Sequence, residues 1–87
     1  MSVVRWEDSS RDELADVWVT ATPDERETIA KIVEALERDL ARDPLDVGES
    51  RTGRIRVEIR PPLVVWFDVS ADESVVRIIR VSRPPAH

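Results

Sequence analysis

The sequence predicts a single α+β domain, residues 1–87, of order β-α-α-β-β-β: an N-terminal strand and a two-helix hairpin packed on one face of a small antiparallel sheet. Three observations predict it. Apolar residues recur at helical spacing between residues 10 and 42, and they alternate at strand spacing from residue 55 onward. At 87 residues the chain supports one core and no second.

The elements follow in order. "VVRW", residues 3–6, is a short β-prone run. Ser10 and Glu13 have the spacing of a capping box, and Leu14, Val17, Trp18 and Ala21 form the apolar stripe of a short amphipathic helix. On that stripe Trp18 is expected in the core, and Trp6 is expected to pack rather than to function. Thr22, Pro23 and Glu25 are a stronger start signal, with a cap, a proline at the first helical position and a capping box. Ile29, Ile32, Val33, Leu36 and Leu40 then line one face of a helix that should stop near Arg42, because Asp43 precedes Pro44. "PLDVGESRTG" reads as a loop holding both glycines. Ile55, Val57 and Ile59 alternate with Arg54, Arg56, Glu58 and Arg60 as a one-sided strand. Pro61-Pro62 marks a turn, "LVVWFDV" is apolar on both faces and should be the central strand, and "SADES" is a polar turn. "VVRIIRV", 75–81, ends the sheet; Arg77 and Arg80 fall on opposite faces of a regular strand, a conflict that a bulge would resolve.

Composition narrows the function classes. The chain has no cysteine and one histidine, so disulfides and thiolate metal sites are excluded and a metal centre is not expected. Asp39, Asp43 and Asp46 read as solvation. No apolar run reaches the ~20 residues of a membrane helix and no signal pattern opens the chain, so a cytoplasmic protein is expected. The net charge of −5 conceals an asymmetry. Residues 1–50 hold 6 basic and 14 acidic residues, net −8; residues 51–87 hold 7 and 4, net +3. The stretch "RTGRIRVEIR" alone supplies Arg51, Arg54, Arg56 and Arg60. If Ile55, Val57 and Ile59 face the helices, Arg54, Arg56 and Arg60 share the exposed face with Val64, Trp66 and Asp68. Guanidinium groups beside an indole suit phosphate contact and base stacking, and they equally suit a protein partner or plain solvation.

These residues in this order resemble the RelE/ParE superfamily of type II toxin–antitoxin toxins. The similarity covers residues 3 to 83 and rests on the N-terminal strand, the hairpin ending "LERDLARDP", then "GESRTGRIRVE", "PPLVVWFDVS", the "DES" turn and "VVRIIRVSR". The resemblance implies a RelE-like fold, held inactive by a cognate antitoxin whose segment wraps it. Members similar to RelE cut messenger RNA in the ribosome without a metal or other cofactor; members similar to ParE block DNA gyrase. The leading expectation is the mRNA interferase, a metal-independent endoribonuclease; gyrase inhibition and a non-catalytic, antitoxin-binding member are the alternatives.

For the nuclease, the resemblance points to Arg54, Arg56 and Arg83 as phosphate contacts that stabilise charge while the 2′-hydroxyl attacks, with His87 as the candidate acid. Arg51, Arg60, Trp66, Arg77 and Arg80 are the candidate RNA or partner contacts. The sequence departs from the nuclease pattern in three places. Leu63 or Val64 stands where a basic residue usually opens the strand. There is no tyrosine, and the one lysine, Lys31, lies on a helix. Arginine stays protonated and makes a poor general base, which leaves Glu58 and His87 as the nearby titratable groups.

Overall fold

The computed structural model describes residues 1–84. β1 (Val3–Trp6) leads into α1 (Asp8–Thr20) and α2 (Pro23–Arg42), then a 3-10 turn over Pro44–Asp46. Four strands follow: β2 (Glu49–Thr52), β3 (Ile55–Arg60), β4 (Leu63–Val69) and β5 (Val75–Ser82). They form one sheet of order β1-β5-β4-β3-β2, so β4 is the central strand, as its two-sided apolar sequence required. The α+β class and element order agree with the sequence. Two details differ: "ESRT", expected as loop, pairs as an edge strand, and the sheet is mixed because β1 runs parallel to β5.

α2 forms where its start signal lies. The Thr22 hydroxyl accepts from the Glu25 N–H at 3.2 Å, and the Glu25 carboxylate accepts from the Thr22 N–H at 2.9 Å. Ile29, Leu36 and Leu40 are buried against the sheet, with Ile32 and Val33 partly so. α1 begins earlier than its expected cap. Glu7 takes the N-cap position without a side-chain bond, and Ser10 sits inside the first turn, fully buried. Its hydroxyl lies 2.7 Å from the Glu7 carbonyl and 2.8 Å from that of Ile78. Glu13 accepts from the Val81 N–H at 3.0 Å. The expected capping box is therefore a pair of clamps between helix and sheet. β1 stops pairing at Ile78, whose carbonyl also accepts from the Glu7 N–H at 3.0 Å; beyond it the Val81 N–H has no partner on β1, and Glu13 of α1 supplies one.

β5 carries the expected bulge. Phe67 pairs with Ile78 and Trp66 with Arg80, which leaves Ile79 as the inserted residue. The core is Leu63, Val65, Phe67 and Val69 of β4 with Val76, Ile78 and Val81 of β5, all buried under the helices.

Between the 3-10 turn and β2, Gly48 has φ +68°, and a Cβ there would lie 2.2 Å from the Val57 carbonyl oxygen. Only glycine admits both the left-handed backbone and this approach of two strands.

Candidate functional site

The register of β3 decides what the exposed sheet face holds. Directly opposed residues in a ladder point to the same face. Arg56 opposes Phe67, Glu58 opposes Val65 and Arg60 opposes Leu63, three core residues. Arg56, Glu58 and Arg60 therefore lie on the helix side. Ile55, Val57 and Ile59 oppose Asp68, Trp66 and Val64 on the open face. The sequence expectation had these two sets reversed. The reason is position: the helix-side surface of β3 is met by the last turn of α2 and by loop 43–48, which offer a carboxylate and carbonyls instead of apolar side chains. Long arginine stems cover that margin while their guanidinium groups take up the acceptors.

Each expected arginine can now be placed. Arg56 forks into the loop: its Nε donates to the Val47 carbonyl, and one Nη donates to the carbonyls of Leu45 and Gly48, each at 3.0 Å. Arg60 pairs with Glu58 and with Asp39 of α2, both at 2.9 Å. Partial burial opposes its charge, yet the hydrogen bonds and charges of Glu58 and Asp39 outweigh that and raise its pKa above the usual value. Arg83 pairs with Glu25, anchoring the chain after β5 to the first turn of α2. The Glu25 carboxyl is held below its ordinary range, first by the Thr22 N–H and then by Arg83. Arg51 lies 3.8 Å from Glu49 on the edge strand.

Arg54 is exposed and makes no side-chain hydrogen bond or ion pair among the described residues. It lines a shallow pocket of about 210 Å³ together with Arg56, Ser50, Ser70 and Glu73. His87 lies outside the described residues. The sequence thus named three arginines as a catalytic set with Arg60 behind them, and the fold commits Arg56, Arg60 and Arg83 to internal contacts.

The open face has another composition. Val64, Trp66 and Asp68 of β4 lie between Ile55, Val57 and Ile59 of β3 and Arg77 and Arg80 of β5. The Arg80 guanidinium lies 4.8 Å from the centre of the Trp66 ring, a cation–π contact. Arg77 is 3.4 Å from Glu7 and 3.5 Å from Asp68. Arg5, paired to Arg77 across the parallel ladder, adds a third guanidinium that sequence reasoning missed, because nothing local tied β1 to β5. Ile59 is 60% exposed, Ile55, Val64 and Trp66 are half-buried, and Val57 between them is buried. The bulge is what puts Arg77 and Arg80 on one face, since three positions apart on a regular strand they would oppose each other. The result is an apolar strip edged by positive charge, with Trp66 and Arg80 at its middle, the residue types that dominate protein-binding surfaces.

Among the described residues no three histidine, aspartate or glutamate side chains are grouped so that they could hold a metal ion. No helix among them is long and apolar enough to cross a membrane. Trp18 is also not the core residue its spacing suggested: it is 39% exposed, and the Arg26 guanidinium lies 5.6 Å from its ring centre. With Trp6, Leu14 and Val33 it lines an apolar groove between the helices.

No family model and no curated protein sequence matches the chain. Solved structures do. The chain is similar to one in the toxin–antitoxin complex RelBE2 of Mycobacterium tuberculosis, at 23% identity over 95% of this chain and 91% of that one, with a TM-score of 0.74. It is likewise similar to a chain of the chromosomal ParDE system of P. aeruginosa, at 18% identity over 98% of both chains and a TM-score of 0.70. At those identities the likeness establishes the fold, which is the RelE/ParE fold that the sequence resemblance implied.

Proposed function

We propose that this protein is the toxin of a type II toxin–antitoxin pair, acting in the cytoplasm, and that it inhibits its target by docking on a protein, as a gyrase inhibitor does. The likeness to chains of two toxin–antitoxin complexes over nearly the whole length supports the toxin role. The β3 register carries the choice of mechanism. It turns Arg56 and Arg60 into internal braces and leaves the open face apolar, with Val64, Trp66 and Ile59 beside Arg5, Arg77 and Arg80. A nuclease needs a proton-transfer group within hydrogen-bond reach of its basic residues. The carboxylates nearest Arg77 are already its ion-pair partners. A docking surface requires only shape, apolar area and a few anchors, and Trp66 under Arg80 is such an anchor. An antitoxin with apolar and acidic side chains would mask the same strip.

One observation favours ribosome-dependent mRNA cleavage as the second reading. Arg54, Arg56 and Glu73 share the small pocket at the turn end of the sheet, where Glu73 would supply the acid–base group and Arg54 the phosphate contact.

Tightly controlled expression of the chain, with thymidine and amino-acid incorporation followed in parallel, separates the two. Early loss of thymidine incorporation, relieved by Trp66→Ala and untouched by Arg54→Ala, is the expected result. Early loss of amino-acid incorporation that depends on Arg54 and Glu73 would replace it with the nuclease. Growth unaffected at full soluble expression would remove the toxin reading altogether.

A further inference from the structure

The groove between α1 and α2 lies in the helix layer, on the opposite side of the molecule from the open sheet face. One stretch of it, about 530 Å³, is lined by Trp6, Leu14, Trp18 and Val33 with Arg11 and Glu37 at its rim; a second, about 500 Å³, continues it past Ile29 and Glu34. Val19, at the first stretch, is 72% exposed. An apolar groove this long on a small domain calls for an occupant.

The rim charges say which one. The helices are antiparallel, so Arg11 near the start of α1 lies at the same end of the groove as Glu37 near the end of α2. The basic residue stands on the α1 wall and the acidic one on the α2 wall. Neither forms an ion pair among the described residues, although Glu37 accepts a long hydrogen bond from the Trp6 indole at 3.4 Å. Glu34 adds to the acidic α2 wall, while Arg26, over the Trp18 ring, lies toward the other end; at the Arg11–Glu37 end the opposite signs of the two walls are complementary to themselves under a two-fold axis parallel to the groove. That rotation lays each α1 over the α2 of the other molecule and preserves level along the groove. Arg11 of each copy then faces Glu37 of the other, twice.

We propose that the groove is a homodimer interface: two copies of this chain pair hairpin to hairpin as a four-helix layer, burying Trp18 and Val19, with reciprocal Arg11–Glu37 pairs fixing the register. The open sheet faces then point outward at both ends of the dimer, free for a target or an antitoxin. The pairing is independent of the target reading, and either can fail alone.

Sedimentation velocity on the purified chain from about 1 to 100 μM tests it, across the range where a modest dimer dissociates. The expected result is a species of twice the 9.9 kDa chain mass, giving way to monomer on dilution. Val19→Glu, at an exposed site that does not threaten folding, should weaken the dimer at least roughly tenfold. Arg11→Glu and Glu37→Arg should each weaken it, and the two together should restore it, because the pair is re-formed with its signs exchanged. Far-UV circular dichroism confirms that each variant is folded. A monomer throughout the range would overturn the proposal and leave the groove to a different protein's helix. A dimer indifferent to Val19→Glu, or a double reversal that regains nothing, would place the interface elsewhere and overturn it equally.

Discussion

Replacing Arg56 with alanine removes a fork of three hydrogen bonds that ties β3 to the loop between α2 and β2. The donors are Nε and one Nη, the acceptors are the carbonyls of Val47, Leu45 and Gly48, and each distance is 3.0 Å. Arg56 is half-buried and the bond to Leu45 is exposed, so each bond counts near the low end of the usual range, about 0.5–1 kcal/mol. The sum is about 2 kcal/mol, which in a domain of this size lowers the melting temperature by about 8–16 °C. Arg56→Lys should recover less than half of that, because one ammonium cannot reproduce a planar fork. Arg54→Ala, which breaks no contact among the described residues, should stay within about 0.5 kcal/mol of the parent. Thermal and urea denaturation of the three variants provide the assay. An Arg56→Ala protein melting within about 2 °C of the parent would refute the structural role and reopen Arg56 as a free phosphate ligand. The point bears on toxicity experiments too: loss of toxicity in Arg56→Ala counts against the docking mechanism only if the soluble, folded amount of protein is unchanged.

Four further perturbations test other joints of the fold. Ser10→Ala should cost about 1–2 kcal/mol in urea denaturation, since it removes a fully buried hydroxyl bonded to Ile78 across α1 and β5. Gly48→Ala should cost more than about 2 kcal/mol, through the clash with the Val57 carbonyl as well as the backbone at φ +68°. Gly53→Ala, whose Cβ would meet nothing within 4 Å, should cost only the ~1 kcal/mol of a left-handed residue. Asp72 accepts from the Ser70 hydroxyl and from the Ser74 N–H and hydroxyl, and these bonds, those of Ser74 foremost, lower its pKa from 3.8 to about 2. Its stabilising share is therefore complete above its ordinary value and disappears as pH falls through about 2. The stability gap between the parent and Asp72→Asn should close over that acid window, and an NMR titration of Asp72 centred at the ordinary value would contradict the turn geometry.

What the sequence disclosed depended on whether the cause was local. The α2 start is written in three adjacent residues, and the structure has the reciprocal Thr22–Glu25 bonds that those residues predict. The two-sided apolar run of β4 could only be a central strand. The misfit of Arg77 and Arg80 foretold the bulge at Ile79. β3 misled because its alternation is real but its environment is not the usual one. The apolar set normally marks the core face, whereas here the polar set meets Asp39 and the loop carbonyls. The presence of Glu58 between Arg56 and Arg60 was the available sign, since an alternating set that carries both charges can neutralise itself against a scaffold. Ser10 and Glu13 had the spacing of a cap, and only the early end of the β1–β5 ladder, a contact across most of the chain, diverted them to β5. Trp18 sits on the expected stripe but at its edge, where the helices leave the groove open.

The parallel pairing of Val3–Trp6 with Val75–Ile78 also sets an order of assembly. During synthesis β1 and α1 emerge first, yet the strand against which both dock is made last. Until β5 is available, β1 has no ladder partner and α1 lacks the carbonyl of Ile78 and the N–H of Val81 that secure it. The hairpin can form from its own signals, but the sheet cannot close around it piecemeal. A chain halted before Val75 forfeits the docking of both N-terminal elements at once, so an interrupted product would lack the Arg5–Arg77–Arg80 surface entirely. Folding of this kind is all or nothing, and the Arg5–Arg77–Arg80 surface exists only in molecules whose synthesis has passed the last strand.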